Sequence, residues 1–486
     1  MSQTTERRFL YSTVASYGSQ LGRMALRLAT DLALARLIIP EHHGLFALAW
    51  STVVLAGFVR DLGLQYELVR HERQPYGSVL LWEILSGTLV TAGLIAFAGY
   101  FGGLDPELPG VLRVLAFFVL IEAFAIVPRV FFERELRVTR LVVPELLRGA
   151  VLAAISIALA VSGAGVWSFV VGELIAMLCF VVILWIRAWT SIHLEFDWRA
   201  IPQLLRKSML LFLIALVSNA MPFVGRYIVE IRDSTAMVGQ YEKALLWAMR
   251  AQILFVPALI RALYPALVAY RTDHKRFVAA YRLGTVAILS IEVMAVYFLF
   301  FNTEIVILEI LLGPNWVDAV ALIKIVCFAT LIDPFTRLGG ELLKVRRQDR
   351  VWLIVAIINF TCLVGFGWLL SGRYGTEGMA WAHYLLLGNI LMAWRVWQIC
   401  GPEFPRLLKD LAFVYLLPLP LFLGLAAIFP AAGWPRFVAC VALLAVIGLI
   451  YLRRFADPFK RFFGGPPPAP TSSSGSAPDI PESSSS

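Results

Sequence analysis

Apolar runs of about twenty residues recur along the whole chain, broken by short clusters of charge, Pro and Gly. An α-helix needs about twenty apolar residues to cross a hydrocarbon core of about 30 Å, so each run reads as one membrane crossing. Fourteen such spans emerge. The first seven run from Leu10 to Leu37, Leu45 to Leu64, Val79 to Phe101, Gly110 to Phe131, Leu141 to Val161, Val166 to Ile186 and Met209 to Ile228. The second seven run from Leu245 to Val268, Leu283 to Phe301, Val317 to Leu338, Val351 to Leu370, Met379 to Ile399, Leu411 to Phe429 and Phe437 to Leu452. No run has the short h-region of a cleavable signal peptide, since the first is long, carries charges and directly follows Arg7 and Arg8. The predicted fold class is therefore an all-α integral membrane protein.

Loop charge sets the orientation. With the N-terminus in the cytoplasm, alternate loops carry Arg70 and Arg73; Arg134, Arg137 and Arg140; Arg199, Arg206 and Lys207; Arg271, Lys275 and Arg276; Lys344, Arg346, Arg347 and Arg350; and Arg406 and Lys409. The opposite loops are poor in basic residues and carry acids such as Asp105, Glu107, Glu304, Glu309 and Asp318. This is the positive-inside asymmetry, and one missed helix would invert every later loop. Composition agrees: 59% of the 486 residues are apolar and 15% charged, against roughly 45–50% and 25% in a soluble domain. The net charge of +9 then reflects cytoplasmic loops rather than nucleic-acid binding. Five cysteines lie in apolar stretches without CxxC spacing, and no Walker loop, dinucleotide fingerprint or HExxH helix is present, so no metal, cofactor or catalytic residue is expected. His42 and His43 fall in a short loop and are expected to be solvated, and Trp185, Trp189, Trp316 and Trp434 to be interfacial anchors.

A weak internal repeat organises the spans. At an offset of 195 residues, Gly44 aligns with Gly239, Phe46 with Tyr241, Ala49 with Ala244, and Asp31 with Arg226. Two further echoes pair Leu136 to Arg140 with Leu343 to Arg347, and Gly165 to Ser168 with Gly378 to Trp381. Matches in the same order at offsets of about two hundred residues point to two six-helix halves of one orientation, with a site at their interface. The expected units are an N-terminal lobe over residues 1–188, a C-terminal lobe over 189–400, two extra helices over 401–455 and a disordered cytoplasmic tail over 456–486.

Polar residues inside the spans mark the chemistry. In the first span Gln20, Arg23, Arg27 and Asp31 fall at three- and four-residue steps on one helix face. Charges at mid-bilayer cost about 2.5–3.5 kcal/mol on insertion scales, so this face is expected to line a polar cavity. Arg27 and Asp31 are also spaced to neutralise each other. Asn219, Pro222, Arg226 and Glu230 share a face of the seventh span, with Pro222 either a hinge or a static kink. Arg261 lies deep in the eighth span, Arg250 is placed to snorkel to a surface, and Glu122, Glu173 and Glu292 sit near mid-span. Gln20, Arg23, Arg27, Asn219, Arg226 and Arg261 are thus candidate substrate-binding residues, and Asp31 and Glu292 candidate ion-coupling or gate residues. The repeat sets Asp31 against Arg226 as a candidate gate; local neutralisation of Asp31 by Arg27 and of Arg226 by Glu230 is the alternative.

The run Leu34-Ala35-Arg36-Leu37 with Pro40, Gly44 and Ala49, followed by Asp61-Leu62-Gly63-Leu64 and Leu68-Val69-Arg70, resembles the opening of Wzx-type polysaccharide flippases. These belong to the multidrug/oligosaccharidyl-lipid/polysaccharide exporter superfamily, and Gly239-Gln240-Tyr241 with Ala244 is similar to the second-half counterpart. The resemblance implies two six-helix bundles around a central cavity plus two C-terminal helices. It also implies export of an undecaprenyl-pyrophosphate-linked oligosaccharide across a bacterial inner membrane, for lipopolysaccharide or exopolysaccharide synthesis, beside a polysaccharide polymerase and glycosyltransferases. Two other functions fit the composition. A small-molecule antiporter of the same superfamily would use Asp31, whereas Arg23, Arg27 and the extra helix pair oppose it. A membrane glycosyltransferase or polymerase would need longer extramembrane loops than this chain has.

Overall fold

The computed structural model describes residues 22, 24–69, 75–135, 139–346 and 348–463, and among them there are helices and no strand. Among the described residues the helices group into fourteen successive passes, and nine segments are long and apolar enough to cross a membrane. The first six are α1 (24–37), α2 (Pro40–Asp61), which leads into the short α3 (Leu64–Leu68), α4 (Tyr76–Phe97), the pair α5 (Leu108–Leu115) and α6 (Phe117–Arg134), α7 (Thr139–Val161) and α8 (Trp167–Ala188). The next four are α9 (Ala200–Arg232), the pair α10 (Thr235–Ala248) and α11 (Arg250–Ala269), α12 (His274–Glu304), and the pair α13 (Val317–Ala329) and α14 (Asp333–Val345). Next comes α15 (Asp349–Ala382), whose Gly375 at φ 55° breaks it into an eleventh crossing and the start of a twelfth, completed by α16 (Gly388–Cys400). The last two are α17 (Phe404–Leu416) with α18 (Pro418–Ile428), and α19 (Trp434–Phe463).

Each expected span that falls among the described residues coincides with a helix or helix pair, though several are longer than expected. The seventh begins at Ala200 rather than near Met209, because Arg206 and Lys207 extend the helix beyond its apolar part. Likewise α19 continues to Phe463, so the first eight residues of the expected tail are helical; residues 464–486 lie outside those described.

Helices α2, α4, α6, α7 and α8 pack on one another, as do α9 to α16, while α17, α18 and α19 lean on α12. The two sets meet chiefly where α2 lies against α10 and α9. Packing in the first set includes a buried charge cluster. Arg60, 2% exposed, lies 3.1 Å from Glu83 and 3.4 Å from Glu122 and donates to the Val119 carbonyl at 2.8 Å, tying α2 to α4 and α6. Removing one member of such a buried pair strands its partner at a cost of about 3–5 kcal/mol, whereas replacing both by apolar residues is often neutral. Arg60→Ala is therefore expected to deplete monodisperse protein in detergent chromatography, and Arg60→Met with Glu83→Leu to restore much of it. A fully stable single variant would show the cluster to be dispensable.

Candidate functional site

Of the polar residues expected on the first helix, Arg27 and Thr30 line a cavity. Arg27 lines a space of about 410 Å³ together with Arg129 of α6, Glu145 and Arg148 of α7, and Glu173 and Phe180 of α8. Arg148 lies 3.3 Å from Glu173, and its guanidinium sits 5.9 Å and 5.8 Å from the ring centres of Phe118 and Phe180; Arg129 is 5.4 Å from Phe180. Three arginines thus face two glutamates around a half-enclosed space. Aromatic faces hold the planar guanidinium groups in place, and such groups bind phosphate oxygens through paired N–H donors. With three arginines against two glutamates, the lining carries an excess of one formal positive charge.

Spacing alone would not have assembled it. Arg129, Glu145 and Arg148 are absent from the sequence-based candidates because they flank a basic loop, whose charge reports topology, on either side. The signal was present: Glu145, Arg148 and Leu152 recur at i, i+3 and i+7, which marks one inward face.

The ion pairs correct the expected ones. Asp31 lies 3.7 Å from Arg250, which also stacks on Trp247 at 4.5 Å. This pair joins α1 to α11. Arg226 instead grips Glu242 with two contacts of 2.7 Å each, from Nε and a terminal nitrogen. Neither the Asp31–Arg226 gate nor the Arg27–Asp31 and Arg226–Glu230 neutralisations is the pairing formed. Four residues advance a helix by about 40° beyond a full turn, which leaves Arg27 toward the cavity and Asp31 toward α11. The two-residue turn at Asp233 and Ser234 brings α10 back beside α9, so one carboxylate oxygen of Glu242, Oε2, meets both Arg226 nitrogens. Glu230 is engaged elsewhere: the Thr235 hydroxyl lies 2.9 Å from both its carboxylate and that of Asp105. Arg250 is half-buried in its pair rather than snorkelling.

At the end of the bundle carrying the α1–α2 turn the two sets of helices are in close contact. Gly44 of α2 and Gly239 of α10 touch backbone to backbone: a Cβ on Gly44 would fall 1.8 Å from the Thr235 carbonyl oxygen, and one on Gly239 2.0 Å from that of Pro40. Only hydrogen fits at either position. Beside them the Trp316 indole donates to the Ala35 carbonyl at 2.9 Å, and Arg36 donates to the carbonyls of Leu311 and Ile310 at 2.9 Å and 2.6 Å. Gln240 bonds both Asn315 and Ala319. Two expectations fail here. Trp316 is fully buried rather than an interfacial anchor, and His43 is buried against Phe169 and Trp316, with ring centres at 4.7 Å and 5.1 Å, because α2 begins at Pro40 and draws it into this contact.

The remaining candidates are less central. Gln20 and Arg23 lie outside the described residues, as does the side chain of Arg261. Asn219 donates to the Ala215 carbonyl of its own helix at 2.8 Å. Glu292 is 1% exposed within α12 and lines neither this cavity nor a second one between α9, α10, α13 and α15, which Pro222 does line.

Residues 33–321 match a family described as polysaccharide biosynthesis protein, a span of more than half the chain. The chain belongs to that family. Among solved structures, one of "Lipid II flippase MurJ, inward closed conformation" superposes with a TM-score of 0.72 at 14% identity, covering 92% of this chain and 99% of that one. A multidrug resistance MATE family transporter of the MOP superfamily in an inward-facing conformation gives 0.63 at 16% identity, over 80% and 96% of the two chains. An outward-facing transporter of the same family gives 0.55 at 16% identity, over 81% and 95%. No curated protein matches by sequence. The family member is a multi-pass membrane protein with the fold of flippases and exporters.

Proposed function

We propose that this protein exports an undecaprenyl-pyrophosphate-linked oligosaccharide from the cytoplasmic to the periplasmic leaflet of a bacterial inner membrane by alternating access, without catalysing a covalent step. The observation that carries the reading is the anion-accepting cavity of Arg27, Arg129 and Arg148 in a membrane fold sealed at one end by Gly44 and Gly239. A pyrophosphate entering a medium of low dielectric needs several cations already in place, and a flippase must hold one face closed while the other is open. Loop charge supports an orientation with both termini cytoplasmic and the seal toward the periplasm. The superposition is better on the inward-facing than on the outward-facing MATE transporter, and the matching flippase structure is in an inward closed conformation, which fits a state closed toward the periplasm. In this reading residues 1–188 and 189–400 are the two lobes that rock about the cavity, and 401–455 flank the second.

The test is complementation of a flippase-null strain together with transport in proteoliposomes. Arg27→Ala and Arg148→Ala are each expected to lower export by about 10- to 100-fold at equal protein level, the scale of one or two charge-assisted hydrogen bonds. Lysine at either position restores only part, because a point charge cannot reproduce the paired contact. Normal export by both alanine variants would remove the cavity from the mechanism. Export of cationic drugs instead of lipid-linked glycan would favour the antiporter reading.

A further inference from the structure

The second cavity differs from the first in chemistry. It encloses about 480 Å³, inside the roughly 300–1,000 Å³ range of small-molecule sites, and no Asp, Glu, Lys or Arg is among its described lining residues. Its polar groups are amides, hydroxyls and rings, among them Tyr241, Thr336, Trp352, Asn359, His383 and Asn389. The Asn389 side-chain oxygen accepts from both the Thr336 hydroxyl at 2.6 Å and the Asn359 amide at 3.0 Å. Those bonds fix both amides and leave two functions over. The Asn359 oxygen is buried without a hydrogen-bond partner although its residue is only 6% exposed, and among the described residues no bond uses the Asn389 amide nitrogen. A buried unsatisfied oxygen costs about 1–3 kcal/mol, which a donor reaching it from the cavity would recover. The Tyr241 hydroxyl and His383 ring nitrogen meet at 2.8 Å on the same wall, and Trp352 adds an indole.

We propose that this cavity is a subsite for neutral sugar residues of the transported glycan, so that the first half of the molecule holds the pyrophosphate and the second half the sugar. The proposal rests on the flippase reading and adds to it the place where the glycan is recognised. A spare amide acceptor beside a spare amide donor matches the adjacent hydroxyls of a pyranose, each of which both donates and accepts. Trp352, whose ring carries the Lys344 ammonium 4.5 Å from its centre, offers the rest of its apolar surface to the C–H face of the sugar ring. The absence of charge from the described lining selects against the pyrophosphate itself, whose cost of entry would be unpaid there, and against acyl chains, which would strand the amides.

Binding to the purified full-length protein in nanodiscs decides it, with two probes: undecaprenyl pyrophosphate, and the same lipid carrying a neutral disaccharide. Wild type is expected to bind the glycosylated lipid about tenfold more tightly than the bare one, the scale of one or two neutral hydrogen bonds. Asn359→Leu and Trp352→Leu should each erase most of that difference while leaving affinity for the bare lipid unchanged, which also shows the variants to be folded. Arg148→Ala should weaken both probes equally. If wild type binds the two lipids alike, or if both cavity variants keep the sugar-dependent gain, the subsite is refuted while the flippase reading stands. If wild type binds neither lipid, the flippase reading fails and takes the subsite with it.

Discussion

Gly44→Val and Gly239→Val are each expected to abolish export while leaving the protein in the membrane. A Cβ at Gly44 would lie 1.8 Å from the Thr235 carbonyl oxygen and 2.9 Å from the Gly239 nitrogen, and both neighbours are backbone. Rotating a side chain cannot relieve such a clash; only separating α2 from α10 can. Overpacking of this kind costs about 1–3 kcal/mol or more, enough to shift a two-state equilibrium roughly 10- to 100-fold toward the state in which this face is open. A transporter that cannot close one face cannot alternate. Accessibility separates this from simple misfolding. In the wild type the Thr52 hydroxyl lies behind the seal, 2.7 Å from that of Tyr227. A cysteine placed at Thr52 on a cysteine-free background should react with an impermeant maleimide from the periplasm several-fold faster in the valine variants. Normal export, or unchanged labelling in an inactive variant, would show that the glycine contact is not the seal.

The same pair shows what was legible beforehand. Gly44 and Gly239 aligned under the 195-residue offset as a bare sequence match, and the fold brings these two equivalent residues into contact. If the two halves are parallel repeats, as we propose, corresponding residues that touch lie close to the axis relating them. The fourteen spans were equally readable, because an apolar run in lipid has one stable conformation, the helix that satisfies its own backbone. Partner choice was not. Arg60 with Glu83, Arg148 with Glu173 and Arg226 with Glu242 are set by how separate helices approach, and spacing along one helix offers only the residue four positions away. Trp316 and His43 were misread for a related reason: hydropathy treats the residues between spans as solvated, whereas here they form the packed seal.

Reversing either member of the Asp31–Arg250 pair should stop transport, and reversing both should restore it. The two groups lie 3.7 Å apart, half-buried, and join α1 to α11 across the two sets of helices. Each single reversal puts like charges at that distance, which costs several kcal/mol in a partly desolvated site, and the double reversal recovers the attraction. Asp31→Arg and Arg250→Asp are therefore expected to fall at least about 100-fold in export, and the combination to return to within about tenfold of wild type. Arg226 and Glu242 provide the contrast, because both belong to the antiparallel pair α9 and α10 and move together. Neutral Glu242→Gln is expected to lower the amount of folded protein without changing which face is accessible. Neutral Asp31→Asn should instead leave the amount unchanged and raise periplasmic labelling at a cysteine in place of Thr52, since the lost attraction bridges elements that must part when that face opens. If Asp31→Asn alters only the yield, the Asp31–Arg250 pair is a structural tie like the other, and the force that holds this end closed comes from the glycine contact, Trp316 and Arg36 alone.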